Sequence, residues 1–464
     1  MKTVCIMGGG LGGLMTGALL AKEGYRVTVL EKNRIIGGGL QSFRRGEYLF
    51  DTGMHIFGGM GTDGQIRRIC RHLGIEERVR TAPIHIVVSG KEGTFPEPFV
   101  EKMRALTDEE PLYNLRPSDE EYKMPDMSLT AKEMAEPFHN ASILYPTLLY
   151  GAREDSPALL HALIGCAHQR GIYSFKGGSL HFAELLAEVI ENAGGEVRRG
   201  EAVTGIEVDG RQVSAVLTEK GKYSADYYIN DMPIGRLLEL MPEGAFTPAF
   251  RNRISEVPYT MSAMTLFIGL KPRSMRYDGA AHFVTKEGCD PWNMDECEEE
   301  RWPQGMFAIM SEDENNRGFA KTITAICPMK YDYVERWEDS QTGRRPEEYY
   351  RWKEKMTDQE IEMMCEKMGV QRETIVYQES GSPLTIRDYY GTPRGALYGI
   401  HRSSSNPLQS SLSPKTRLAN LYLTGQDVNF HGMVGVSLTA IMTAETIVGR
   451  NTIVNKINDT IWKQ

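Results

Sequence analysis

The chain opens on a short apolar run, Thr3 to Met7, that breaks into glycines and is followed by an apolar helical stretch from Leu14 to Glu23 and a second run, Arg26 to Leu30. Runs of five residues are too short for helices, so the pattern predicts two buried parallel strands joined by a tight turn and a helix. Phe182, Leu185, Leu186, Val189 and Ile190 then recur at helical spacing until Ala193-Gly194-Gly195 stops them. Glu196 to Arg199 and Val203 to Val208 alternate, and Asp209-Gly210 reads as a hairpin turn into Val213 to Thr218. Ser262 to Leu270 alternates as a strand, with Met306 to Ser311 and Thr322 to Cys327 expected beside it. Asn420 to Leu423 reads as a strand leading to Gly425, and Gly432-Met433-Val434-Gly435 opens an apolar helix through Val448. Gly93 to Asn140 is polar, contains Pro96, Pro98, Pro111, Pro117, Pro125 and Pro137, and shows no clear periodicity. Asp290 to Arg301, around Trp292, reads as a solvated acidic loop.

The first turn carries chemistry. Gly8-x-Gly10-x-x-Gly13 has dinucleotide spacing: one glycine for the tight turn, one for close approach of backbone to a pyrophosphate, one for packing of helix on strand. The helix behind it presents free amides and a positive dipole end to the phosphates. Glu31 lies 18 positions beyond Gly13 (31 minus 13), where an acid holds ribose hydroxyls and disfavours a 2′-phosphate. A glycine fingerprint alone is weak, but the strand before it, the helix after it and the acid count against a turn without a ligand.

The segment from Glu31 to Phe43, with Gly38, Gly39 and Ser42, resembles the extended motif of the amine oxidase and phytoene desaturase superfamily of flavoproteins. Phe50-Asp51-Thr52-Gly53-Met54-His55 is similar to that superfamily's next element, and Leu421 to Ile441 to the closing motif of the phytoene desaturase group. Ser382 to Tyr389 and Gly391 to Gly399 resemble the retinol reductase branch of that group. The resemblance implies FAD and a Rossmann-like, GR2-type FAD-binding domain in an α/β fold, with a discontinuous α+β substrate domain. Residues 1–70, 171–235 and 405–464 would form the first domain, and 71–170 and 236–404 the second.

The cofactor contacts so implied are Gly8, Gly10, Leu11, Gly12, Gly13, Glu31, Lys32, Gly38, Gly39, Leu40, Gly53, His55, Val203, Gly425, Gln426, Asp427, Gly432, Val434 and Gly435. Gly38 and Gly39 would pass the pyrophosphate and ribityl chain, Val203 would pair with adenine by its backbone, and Asp427 would hold ribityl hydroxyls. The helix opening at Gly432 would place its positive end near the flavin ring. His55 and His431, each inside a ring-proximal motif, are the candidate proton-handling catalytic residues, against the plainer role of hydrogen-bonded turn histidines.

The expected reaction is hydride exchange at flavin N5 with a carbon–carbon bond of an apolar, polyene- or isoprenoid-like substrate, saturation favoured by resemblance. A flavin amine oxidase would share the first domain, but its closing motif carries an aromatic before the glycine where this chain has Asn429-Phe430-His431-Gly432. A prenyl-binding protein of the Rab GDP-dissociation inhibitor type is a non-enzymatic rival, opposed by Glu31 and Gly425-Gln426-Asp427, and a flavin-dependent polyene isomerase is a third. No second glycine fingerprint and no Cys-x-x-Cys relay marks an electron donor or acceptor, and no motif for a metal or a nucleophilic triad is present.

At 464 residues, more than one core is expected. A net charge of −9 offers no basic surface for nucleic acid. The seven scattered cysteines fit a reducing cytoplasm, and the glycines from Gly8 to Gly13 set Met1 to Leu20 apart from a signal peptide. The 24 methionines could line an adaptable pocket, although gap-filling in cores is their commoner use. The tail residues Ile453, Ile457, Ile461 and Trp462 have helical spacing, read first as packing on the FAD domain and second as peripheral membrane contact.

Overall fold

Strand order in the first sheet follows from the opening pattern. In a computed structural model that describes residues 1–93, 96–108, 114–117, 126–137 and 153–459, Thr3–Met7 pairs in parallel with Arg26–Glu31 on one side and Tyr227–Asn230 on the other. Glu196–Arg199 extends one edge and Leu421–Leu423 the other, both in parallel. Both faces are apolar, as a parallel sheet covered by helices requires. Val4 and Ile6 point into one core with Leu14, Leu19 and Ile441, while Cys5 and Met7 point into another with Tyr228 and Leu237. The helix Leu11–Lys22 is buried from Leu11 to Ala21, packed between Leu180–Asn192 and Gly432–Val448. It therefore reads as a continuous apolar run rather than an amphipathic one.

A second sheet runs in the order Ile375–Gly381, Ser262–Leu270, Ala320–Met329, Gly305–Glu312, Ala280–Thr285, Thr81–Val88 and Lys91–Glu92. Gly305–Glu312 is thus one strand removed from Ser262–Leu270, because Ala320–Met329 pairs with both. Ile172–Phe175, inside the stretch expected in the FAD domain, pairs antiparallel with Thr81–Val88 and joins this second sheet. The helix Glu347–Met368 covers one face, with Trp302, Trp337, Tyr349 and Trp352 in the core between.

Two further elements differ from expectation, and a third, the tail, packs as expected over its described residues. The polar stretch holds the helix Glu97–Asp108, whose Phe99, Val100 and Met103 are buried against Ala158–Gln169. Pro98 falls in its first turn, where a missing N–H costs nothing, so the prolines hid a helix rather than excluding one; Pro111 and Pro125 lie outside the described residues. The Asp290–Arg301 region is not simply a solvated loop: Asp295 is 4% exposed and accepts from Arg153 Nη2 at 2.8 Å. In the tail, Ile453, Val454 and Ile457 are buried in the first core, while Ile461 and Trp462 lie outside the described residues. Among the described residues no single helix is long and apolar enough to cross a membrane.

Candidate functional site

Two glycine turns meet backbone to backbone at the carboxyl ends of the parallel strands, where open α/β sheets bind ligands. A Cβ placed on Gly12 would stand 2.7 Å from Gly425 Cα and 2.8 Å from Gly425 N, so neither turn tolerates a side chain toward the other. Gly8 and Gly425 both have left-handed backbone, with φ of 109° and 87°. Thr16 Oγ1 donates to Gly12 O at 2.7 Å and meets Thr424 Oγ1 at 3.0 Å, locking the two turns together.

Glu31 is 6% exposed, and both its oxygens take backbone amides: Oε2 from Gly9 at 2.9 Å and Oε1 from Asn33 at 2.7 Å. It braces the turn as well as facing the cavity. Gly37 N donates to Gly9 O at 2.7 Å, and Met54 N to Gly39 O at 2.8 Å, which draws the Gly38-Gly39 pair and the Gly53 loop alongside the first turn. Asp51 is a hub behind them, accepting from Ser42 Oγ and from Ser179 N and Oγ.

A cavity of about 1640 Å³ follows these elements. Its wall contains Gly8, Gly10, Leu11, Gly12, Glu31, Lys32, Gly38, Gly39, Leu40, Val203, Gly425, Gln426, Asp427 and Gly432. Gly13 is absent from that wall because it packs on the Gly8 carbonyl. A second cavity of about 1000 Å³ contains Gly53, His55, Val434 and Gly435, together with Gly432. The two share Met54, Leu397 and Gly432, so they adjoin at these residues.

The second cavity is apolar. Phe283, Phe307 and Ile326 sit in register on three adjacent strands of the second sheet and form one wall. Met54, Met261, Met294, Met306 and Met433 line it too, so part of the methionine content is concentrated at an adaptable pocket. Met294 comes from the Asp290–Arg301 segment. No acidic residue lines this cavity among the described residues.

His55 and His431 both border the apolar cavity. The Nε2 of each is shielded and without a hydrogen-bond partner. Desolvation pushes both imidazoles down to about 4, helped at His431 by the Arg402 guanidinium, so they are neutral at neutral pH. The His431 ring packs on Tyr398, with centroids 4.8 Å apart.

The sequence reading missed a second role of Asp427 and two residues of the site, Arg402 and Asp231. Asp427 Oδ2 accepts from Ile234 N at 3.0 Å and its carboxyl is pushed up by burial, so it caps a neighbouring helix in addition to facing the cavity. Arg402, 6% exposed, donates to the carbonyls of Gln426, Asp427, Asn429 and Ser410 and so ties down the closing loop. Nothing in a lone arginine between His401 and Ser403 signals that role. Asp231 lies against Gly10, Gly12, Gly13 and Gly425 on the wall of the larger cavity. Its signal was available: Tyr227–Asn230 is a short apolar run of strand length, and ligands gather where such strands end.

A family model described as the NAD(P)-binding Rossmann-like domain matches residues 6–73. An all-trans-retinol 13,14-reductase of Danio rerio is 25% identical over 525 residues, covering 96% of this chain and 86% of that protein. A 4,4'-diaponeurosporene oxygenase of Staphylococcus aureus is 22% identical, covering 97% of this chain and 98% of that protein. Among solved structures, wild-type putrescine oxidase bound to putrescine superposes with a TM-score of 0.63 at 15% identity, covering 100% of this chain and 99% of that one, a likeness of fold. Along nearly its whole length, then, the chain is similar to proteins named for retinol reduction and for diaponeurosporene oxygenation.

Proposed function

We propose that the chain is an FAD-dependent oxidoreductase that acts on a carbon–carbon bond of an apolar, polyene- or isoprenoid-like small molecule, in the direction of saturation. The observation that carries this reading is the junction at Met54, Leu397 and Gly432, where a glycine-lined cavity with Glu31 on its wall adjoins an apolar one. The residues fit the cofactor. The touching turns at Gly8–Gly12 and Gly425 present bare backbone to the larger cavity, as a pyrophosphate lying there needs, and Glu31 stands on the same wall, where ribose hydroxyls would lie.

Bound there, FAD would supply hydride exchange at N5. The protein's part is binding, orientation and exclusion of water. The turns at Gly8–Gly13 and Gly425–Asp427 would hold phosphates and ribityl chain, and the helix Gly432–Val448 turns its positive end to the junction. Phe283, Phe307 and Ile326 would bury the substrate's apolar length against the second sheet. Of the three histidines on the apolar lining, His55, His168 and His431, the first and last adjoin the junction residues Met54 and Gly432 and are the candidates for exchanging a proton with the substrate.

Likeness to proteins named for retinol reduction and diaponeurosporene oxygenation supports a polyene. Among the described residues the apolar lining offers no carboxylate to pair with an alkylammonium substrate. A visible spectrum of the purified protein tests the cofactor: a flavin band is expected, and a colourless protein would favour the prenyl-binding alternative. Anaerobic mixing of the chemically reduced protein with retinol-like polyenes tests the reaction. Flavin reoxidation with a product that has gained two hydrogens is expected, and no reoxidation overturns the reading. A product of unchanged mass would instead identify an isomerase.

A further inference from the structure

Asp231 brings a carboxyl to a place built to attract negative charge. It follows Tyr227–Asn230, its backbone N–H donates to Met7 O at 2.8 Å, and its carboxyl is thereby laid over the first turn. Asp231 Oδ2 stands 2.7 Å from where a Gly10 Cβ would be, and the Gly10 and Gly13 amides face the carboxyl and favour its charged form. Those are amides that a pyrophosphate laid on this turn would use.

Among the described residues no cation pairs with the Asp231 carboxyl. The other acids facing the carboxyl are Glu31, at the end of the neighbouring strand, and Asp427, on the closing loop. The two cations on the same cavity wall are engaged elsewhere: Lys32 Nζ donates to Asp388 O at 3.1 Å, and Arg236 Nη1 to Glu239 at 2.7 Å. Desolvation, with Glu31 and Asp427, pushes the Asp231 carboxyl up to about 8 against the pull of the two amides. A pyrophosphate would add two negative charges beside it and raise the cost of ionisation further.

We propose that Asp231 couples cofactor binding to proton uptake: the turn accepts the pyrophosphate when the Asp231 carboxyl is neutral, its O–H turned to a phosphate oxygen, so FAD bound at alkaline pH takes up one proton from solvent. The proposal rests on the FAD reading above. Its consequence is an affinity that is flat at acidic pH and falls by about tenfold per pH unit once the ligand-free carboxyl ionises, the slope of one linked proton. The FAD pyrophosphate keeps its full charge across this range, so the slope belongs to the protein.

The test is calorimetric titration of FAD into the full chain stripped of flavin, between pH 6.5 and 9.5, in buffers of different ionisation enthalpy. The dissociation constant is expected to rise at least about tenfold over that range, with one proton taken up per FAD at pH 9. Asp231→Asn keeps the shape and mimics the neutral acid, so it should bind FAD with no pH slope and about tenfold more tightly than the parent at pH 9. Asp231→Ala, should the Asn variant not fold, is expected to lose the slope as well. A parent affinity that varies by less than about twofold, or a slope that survives in a folded variant, overturns the proposal and leaves the flavin reading standing. A protein that binds no FAD at any pH overturns both.

Discussion

The two cavities that meet at Gly432 are built by opposite means. The larger is made of backbone: glycines at Gly8, Gly10, Gly12, Gly38, Gly39 and Gly425, with amides and a helix end aimed inward. The apolar one is made of side chains from separate segments, Met54, Ile164, Met261, Phe283, Phe307 and Leu397 among them. Backbone construction demands glycine wherever a Cβ would collide, as at Gly10, Gly12 and Gly425. Side-chain construction demands only apolar bulk of about the right volume. The first should therefore be intolerant of the smallest change and the second tolerant of most.

The sharpest way to break that contrast is at Gly12. A side chain there would meet Asp231 Oδ1 and the Gly425 backbone, neither able to move without dismantling the turn. Gly12→Val is expected to lower FAD affinity by on the order of 100-fold and to give a nearly colourless protein, read from the ratio of visible to ultraviolet absorbance. Gly235→Ala is the matched control. Its added Cβ meets nothing within 4 Å, and alanine favours the helix Ile234–Leu240, so flavin content should be unchanged.

The same contrast decided what was legible beforehand. Thr3–Met7, Leu11–Lys22 and Arg26–Glu31 were readable because each has one unmistakable local pattern, and Gly432–Val448 because its glycine-rich start precedes a long apolar run. The wall Phe283, Phe307 and Ile326 was not readable as a wall, because its meaning lies in the register of three strands. Arg402 was invisible for a related reason: the carbonyls it satisfies belong to a loop 24 or more positions away, and no local spacing encodes that. Asp231 fell between the two cases, next to a readable strand end but outside the fingerprint.

Arg402 offers the second test, since it serves the backbone-built side from a distance. Arg402→Met keeps the apolar stem and leaves the carbonyls of Gln426, Asp427 and Asn429 without their donor. A loss of about 3 kcal/mol in urea unfolding is expected, because buried polar groups stay desolvated after their partner is gone. Flavin should also be lost more readily on gel filtration. A stability within about 0.5 kcal/mol of the parent would mean that the closing loop holds without it.

The apolar side should respond in the opposite sense. Ile326→Trp fills space between Phe307 and the cavity while leaving every glycine turn untouched. An increase of about tenfold in KM for a retinol-like polyene is expected, with the flavin spectrum and content unchanged. Equal loss of flavin and of substrate binding would show that the two cavities are one mechanical unit.

The smallest effect at neutral pH is expected at His431, and its pH dependence sharpens the comparison most. Desolvation and Arg402 hold this imidazole down to about 4, so only about one molecule in a thousand carries the second proton at pH 7. A saturation reaction needs a proton delivered to carbon after the hydride. If the His431 imidazolium delivers it, the rate through that route rises about tenfold for each unit of pH lowered from 7 toward about 4, because the charged fraction does. His431→Gln should then reduce turnover by about tenfold or less at pH 7, and by progressively more as the pH falls. Desaturation would instead use the neutral ring as acceptor, giving a parent profile flat above about pH 5 and a variant defect that does not grow on acidification. A variant with the parent's turnover at both pH 5 and pH 7 would leave His431 as a ring packed on Tyr398 and pass the proton to His55 or to water.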